Sequence, residues 1–173
     1  MNPQNNHSSG KLAICPGSFD PITLGHLDII RRAALMFDQV IVAVLVNPGK
    51  NPSFTADERI DMIRRAIDGI DNVEVECFDG LLADYTRQKN AQVIVRGLRA
   101  VTDFEYEFQM ALSNRKMNEN IDTVFLTTSA EYMYLSSSMV KSIGCFGGDI
   151  SDFVPACICR EIAERICLPQ YRK

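Results

Sequence analysis

The run QVIVAVLV at residues 39–46 contains no polar residue after its first position and is rich in β-branched side chains. A strand with one wet face alternates polar and apolar residues, so an unbroken run of this kind predicts a strand covered on both faces. Such strands belong to parallel sheets, whose crossovers need helices, and the rest of the chain supplies them. KLAIC (11–15) reads as a preceding strand, and from His26 the pattern turns helical, with Leu27, Ile30, Ala34 and Phe37 on one face. After NPGKNPSF, Thr55 with Glu58 three positions on forms a capping box that opens a helix reaching about Ile67. VEVEC (73–77) is a third strand, Gly80 to Lys89 carries Leu81, Leu82 and Tyr85 at helical spacing, and QVIV (92–95) is a fourth strand. Asp103 is placed to cap a helix with Phe104, Phe108 and Leu112 as its apolar stripe, and TVFLTT (123–128) is a fifth strand. Ser136, Ser137 and Ser138 fall where an N-cap is wanted, Gly147 and Gly148 lie past that helix's end, and Pro155 suits the first position of a last helix. Five strands alternating with helices predict an α/β fold: a five-stranded parallel sheet, doubly wound, in three layers.

At 173 residues the chain is long enough for one core and short for two, so residues 11–173 are expected to form a single domain. MNPQNNHSSG (1–10) has neither a basic segment nor an apolar one and reads as a disordered tail or tag remnant, which gives His7 no functional weight. No apolar run approaches the roughly 18 residues of a membrane span. A net charge of −4 argues against a general nucleic-acid surface, which needs clustered basic charge. The six cysteines, at 15, 77, 145, 157, 159 and 167, read as reduced, buried thiols, and Cys157 and Cys159 lack zinc spacing, so no protein-held metal is expected.

Parallel sheets bind ligands beyond the carboxyl ends of their strands. The unusual residues fall there: CPGSFDPITLGH (15–26) after strand one, Lys50 after strand two, Arg96 and Arg99 after strand four, and the serines after strand five. Neither GxGxxG nor GxxxxGK[ST] occurs, so phosphate must be held by other means. Gly17 permits a tight turn off the strand, Pro21 stiffens the loop, and Gly25 clears the side chain from where a phosphate would approach the free N–H groups of a helix start. His26 at that electropositive tip suits stabilisation of a charged phosphoryl oxygen. Each residue also has a plain reading: a structural histidine, a surface lysine, an exposed arginine turn, a serine cap, and a solvated Glu105. Phe104, Phe108 and Met110 read as packing or subunit contacts.

TLGH, with GSFDP before it and LSSS near the far end, resembles the signatures of the nucleotidyltransferase superfamily. CPGSFDPITLGHLDII, the lysine in NPGKNPSFT, VRGLRAVTDFEYEFQMA, VFLTTSAEYMYLSSSMVK and GGDISDFVP together, in order over residues 11 to about 167, resemble phosphopantetheine adenylyltransferase. That family makes dephospho-coenzyme A and pyrophosphate from ATP and 4′-phosphopantetheine. The resemblance implies His26, Lys50 and Arg99 as catalytic residues. It implies an ATP site of Ser18, Phe19, His26, Gly97, Leu98, Arg99, Glu107, Tyr132, Met133, Tyr134, Leu135, Ser136, Ser137 and Ser138. For the acceptor it implies Ser18, Lys50, Leu82 and Arg96. Ser18 replaces the family's usual threonine, Tyr132 and Leu135 depart from the aromatic and isoleucine of familiar members, and Lys141 stands where the wider superfamily has arginine. The resemblance further implies Mg²⁺ carried with ATP, coenzyme A as a possible feedback ligand, a homohexamer and a cytoplasmic location.

The expected reaction is in-line attack of the acceptor phosphate on the α-phosphorus of ATP, with alignment and charge stabilisation doing the catalysis. Two other readings stay open on the residues alone. One keeps the fold and changes the acceptor to nicotinamide mononucleotide or a cytidylyl system, which substrate screening separates. The other is a non-catalytic nucleotide or coenzyme A sensor, which would bind ATP without releasing pyrophosphate.

Overall fold

A computed structural model describes residues 10–171 apart from Pro48, Lys50 and Ala100, and the side chains of these except Val101, Thr102 and Asp103. The expected tail at 1–10, but for Gly10, and the expected site residue Lys50 therefore lie outside the described residues. In chain order the elements are β1 (Leu12–Gly17), α1 (Leu24–Met36), β2 (Gln39–Leu45), α2 (Ala56–Ala66), β3 (Val73–Phe78), α3 (Leu82–Lys89), β4 (Val93–Leu98), α4 (Val101–Met117), β5 (Asp122–Thr127), α5 (Ser137–Gly144) and α6 (Ala156–Ile166). The five strands form one parallel sheet in the order β3-β2-β1-β4-β5.

Both faces of the sheet are covered, which is what the apolar run of β2 requires. Val40, Val42 and Val44 enter a large core with Leu27 and Ile30 of α1, Met62 and Ile63 of α2, and Ile158 and Ile162 of α6. The intervening Ile41 and Ala43 join Ile14, Phe78, Tyr85 and Ala91 in a smaller core on the other face. Thr55 accepts from Glu58 N while Glu58 accepts from Thr55 N at 2.8 Å, so the expected capping box of α2 is present.

Strand pairing places the site. β1 runs in register with β2 from Leu12↔Gln39 to Gly17↔Val44, but its ladder to β4 consists of Ala13↔Val93 and Ile14↔Ile94. Beyond Ile14 the two strands part, and chain order reverses at this point, so a crevice opens between their carboxyl ends. Gly97 borders it. A Cβ there would lie 2.9 Å from Ile29 Cγ1, so the missing side chain is what lets α1 pack close to β4.

Five expectations are corrected. β4 runs to Leu98 instead of stopping at 95, because its ladder with β5 continues through Leu98↔Thr127, and Arg96 is therefore within the strand. α1 starts at Leu24, before His26. α4 starts at Val101, so Asp103 is inside it, and Pro155 is the N-cap of α6 instead of its first residue. All six cysteines are free, as expected, but only Cys15 is buried; Cys77 and Cys157 are exposed.

Gly97→Ala should cost about 1–3 kcal/mol, the usual scale of overpacking, because Ile29 and with it α1 must shift. Urea unfolding measures this, and a change within experimental error would contradict the close packing of α1 on β4.

Candidate active site

Thr23 ends the loop after β1 with extended backbone and caps α1, its hydroxyl accepting from His26 N. The backbone N–H of Thr23 in turn donates to His26 Nδ1 at 3.0 Å. This is a capping box with histidine in the place usually taken by glutamate. Because Nδ1 accepts that bond, the neutral ring carries its proton on Nε2. His26 stands in the wall of a cavity of about 470 Å³, together with Arg96 and Gly97 of β4, Arg99 just beyond it, and Ser136, Ser137 and Ser138 at the tip of α5. Burial, with the positive charges of Arg99 and Arg96, lowers the imidazole pKa from its ordinary value to about 4. At neutral pH the side chain is therefore an uncharged Nε2–H donor. It suits donating a hydrogen bond to an oxyanion and does not suit acting as a general acid.

Phe19, buried on the same loop, holds a left-handed backbone (φ 47°), strained for a bulky residue, and its ring meets that of His26 edge-on at a centroid distance of 5.1 Å. Arg99 donates to Leu135 O at 2.8 Å, which ties the end of β4 to the entry of α5. Ser136 caps α5 by accepting from Met139 N at 3.1 Å, and Ser137 Oγ donates to Pro21 O at 2.8 Å. The amides of that helix start border the same cavity, a ready anion site. Cys15 also lines it, but burial pushes its thiol up to about 12, so it is no nucleophile at neutral pH.

Arg96 and Glu107, expected on opposite substrates, are bonded to each other. Nε donates to Glu107 Oε2 at 2.7 Å and Nη2 to Oε1 at 2.5 Å, while Nη1 donates to Pro16 O at 2.5 Å. The pair stands in the wall that the first cavity shares with a second of about 250 Å³, lined mainly by apolar residues of α4 and of the stretch from Phe78 to Leu82. A chamber that carries two guanidiniums thus meets a mostly apolar one at a wall of Arg96, Glu107, Pro16 and Tyr106.

The remaining expected residues scatter. Ser18 is exposed and borders a third cavity instead of the first, and Leu98 lies outside the first cavity's wall. Tyr132 packs beside Gly25, where a Cβ would lie 3.4 Å from Tyr132 Cβ. Met133 and Tyr134 are exposed and absent from that wall, Tyr134 meeting Phe153 edge-on at 6.3 Å. Three residues with large roles were not foreseen. Buried Thr128 lines the first cavity; Asp28 on α1 accepts from Ser129 Oγ at 3.0 Å, docking the segment after β5; and Asp20 is bonded to two distant segments.

Similarity to known proteins agrees with this geometry. A family model described as Cytidylyltransferase-like matches residues 14–143. The phosphopantetheine adenylyltransferase of Heliobacterium modesticaldum is 56% identical over 154 residues, covering 89% of this chain and 92% of that protein. The chain belongs to the phosphopantetheine adenylyltransferase family. A second member, from Alkaliphilus metalliredigens, is 55% identical over 90% of this chain and 99% of its own length. Among solved structures, a Plasmodium falciparum nicotinic acid mononucleotide adenylyltransferase complexed with NaAD superposes with a TM-score of 0.66 at 14% identity, over 89% of this chain and 95% of that one. A putative nicotinate-nucleotide adenylyltransferase from Vibrio parahaemolyticus gives 0.63 at 20% identity, over 90% and 95%. Those two likenesses speak to the Rossmann-like nucleotidyltransferase fold.

The lowered histidine pKa has a stability consequence. Unfolded His26 binds its proton near pH 6.5 and folded His26 near 4, so the unfolded state takes up the extra proton as pH falls. The contribution is whole above about pH 6.5 and is lost progressively down to about 4. Urea titrations from pH 7.5 to 4 should show the wild type losing stability more steeply than His26→Gln, by up to about one proton per molecule. Equal slopes would contradict an imidazole held neutral in the folded state.

Proposed function

We propose that the chain transfers the adenylyl group of ATP to 4′-phosphopantetheine, giving dephospho-coenzyme A and pyrophosphate, with residues 11–173 acting as one adenylyltransferase domain. The observation that carries this reading is the joining of two chambers at Arg96. One presents a neutral imidazole N–H, two guanidiniums and a helix tip to phosphates; the other suits an apolar arm. Relatives at 55–56% identity over nearly their full length point to the same acceptor, and set aside nicotinamide mononucleotide and cytidylyl alternatives.

In this reading the triphosphate lies against α5 with Ser136, Ser137 and Ser138 and the guanidinium of Arg99. The acceptor phosphate sits between Ser18, Lys50 and Arg96, its arm running past Leu82. Arg96 has five N–H donors, of which the bonds to Glu107 and Pro16 use three, leaving one on each terminal nitrogen for phosphate. The acceptor oxygen attacks the α-phosphorus in line, and the pyrophosphate bond breaks on the opposite side. No protein nucleophile or base is needed, since the phosphate is already anionic. His26 Nε2–H donates to the oxygen on which charge accumulates, and its low proton affinity keeps that hydrogen in place. Glu107, held by Arg96, fixes the guanidinium's plane.

Mg²⁺ is proposed to accompany ATP. Glu107, the carboxylate in the wall of the nucleotide chamber, is committed to Arg96, and no group of three metal-ligating side chains occurs among the described residues. The ion would be held by triphosphate oxygens and water, where it offsets phosphate charge. Coenzyme A, which carries the same arm as the acceptor, is a candidate feedback ligand of the joined chambers. A homohexamer is proposed as the assembly. Phe104, Phe108 and Leu112 of α4 are 43%, 45% and 54% exposed in the single chain, an apolar face suited to a subunit contact. The family resemblance supports a cytoplasmic location, and no helix among the described residues is long and apolar enough to cross a membrane.

Incubation with ATP, Mg²⁺ and 4′-phosphopantetheine should yield dephospho-coenzyme A by mass, with pyrophosphate in equal amount, while nicotinamide mononucleotide should give none. ATP binding without pyrophosphate release would indicate a sensor instead. His26→Ala should lower kcat by roughly 10²- to 10³-fold with little change in ATP affinity. Turnover near wild type would remove His26 from the reaction. Lys50→Ala should be at least as damaging, and unchanged kinetics would contradict its role.

A further inference from the structure

We propose that Asp20, which touches neither the nucleotide chamber nor the arm chamber, is a positioning residue for the reaction: its carboxylate locks the loop after β2 and helix α5 onto the loop that leads into α1 and His26. The inference rests on the adenylyl-transfer reading of the site. The Asp20 side chain is only 9% exposed. Its Oδ1 accepts from Phe54 N at 3.0 Å, and its Oδ2 accepts from Ser53 N at 3.1 Å and from Lys141 Nζ at 2.7 Å. The two amides close the loop between β2 and α2, three and four residues beyond Lys50 in the chain. The ammonium belongs to α5, whose first turn borders the nucleotide chamber. One carboxylate thus ties together three of the segments from which the proposed chemistry comes.

The surroundings are built to hold that carboxylate still. Arg59, 4% exposed, donates from Nη1 to Ser18 O at 2.7 Å and Leu45 O at 3.2 Å, gripping the chain on either side of the joint. Ser137 adds its bond to Pro21 O at 2.8 Å. Three donors, one of them cationic, converge on Asp20, and its two oxygens accept from all three. An asparagine there keeps the shape but offers one acceptor oxygen and turns an NH₂ toward an N–H or an ammonium. The outcome is a displaced loop in a folded protein, and displacement of reacting groups by about 1 Å costs on the order of 10²-fold in rate.

The test uses Asp20→Asn in the full chain, with ATP and 4′-phosphopantetheine varied separately, thermal unfolding recorded, and the Kd for ATP alone measured by calorimetry. We expect a folded variant whose kcat falls roughly 10- to 100-fold and whose KM for the acceptor rises, while the Kd for ATP stays within about threefold. A kcat within about threefold of wild type overturns the proposal, and so does a loss of activity that only tracks the folded fraction. Should the variant not fold, amide hydrogen exchange in the wild type decides: slow exchange at Ser53 and Phe54 supports the lock, and exchange at free-peptide rates overturns it. A wild-type chain that makes no dephospho-coenzyme A defeats the adenylyl-transfer reading itself, whereas a working wild type matched by Asp20→Asn defeats only the role of Asp20.

Discussion

The bond from the Thr23 amide to His26 Nδ1 is the constraint on which the site depends. It spends the acceptor nitrogen of the ring on the backbone, which leaves the donor nitrogen for the chamber and fixes the ring's orientation at the first turn of α1. Burial, then the two guanidiniums, make a second proton costly, and the positive end of α1 acts in the same direction. An imidazolium would be a stronger donor but would surrender its proton to a phosphate. The neutral ring donates without transferring, which is what a reaction with no proton to move requires of it.

The fold's part is to bring the segments after β1, β4 and β5 to one point. The parting of β1 from β4 beyond Ile14 makes the chamber, Gly97 lets α1 lie close enough to place its tip there, and α5 reaches the same point through Arg99 and Ser137. The Arg96–Glu107 pair then forms both a wall and a doorway, holding a guanidinium flat between phosphates and an apolar groove. Because these contacts are long-range, the site is assembled by the sheet and not by any single motif.

That distinction explains what was legible in the sequence. Continuous apolar runs identify β1, β2 and β4 because parallel burial leaves no polar face, the edge strand β3 reads from the alternation of VEVEC, and the Thr55–Glu58 box identifies the start of α2 from local chemistry. The start of α1 escaped because histidine, not glutamate, closes the box at Thr23. Arg96 reads as a loop residue because it interrupts an apolar run, yet ladder bonds to β5 carry the strand beyond it. The long-range bonds of Asp20 and Asp28 were invisible in principle: they reach 33 to 121 residues away, and a carboxylate carries no sign of which distant group it will bond. The stripe on α4 was legible as apolar, but its spacing does not say whether it meets the core or another subunit.

The account stands most directly on the protonation of His26, and ¹⁵N NMR of the ring, titrated between pH 8 and 4, reads it. A neutral ring with its proton on Nε2 through the whole physiological range, titrating near 4, is the predicted result. A ring that carries its proton on Nδ1, or that titrates at an ordinary value near 6.5, contradicts the account.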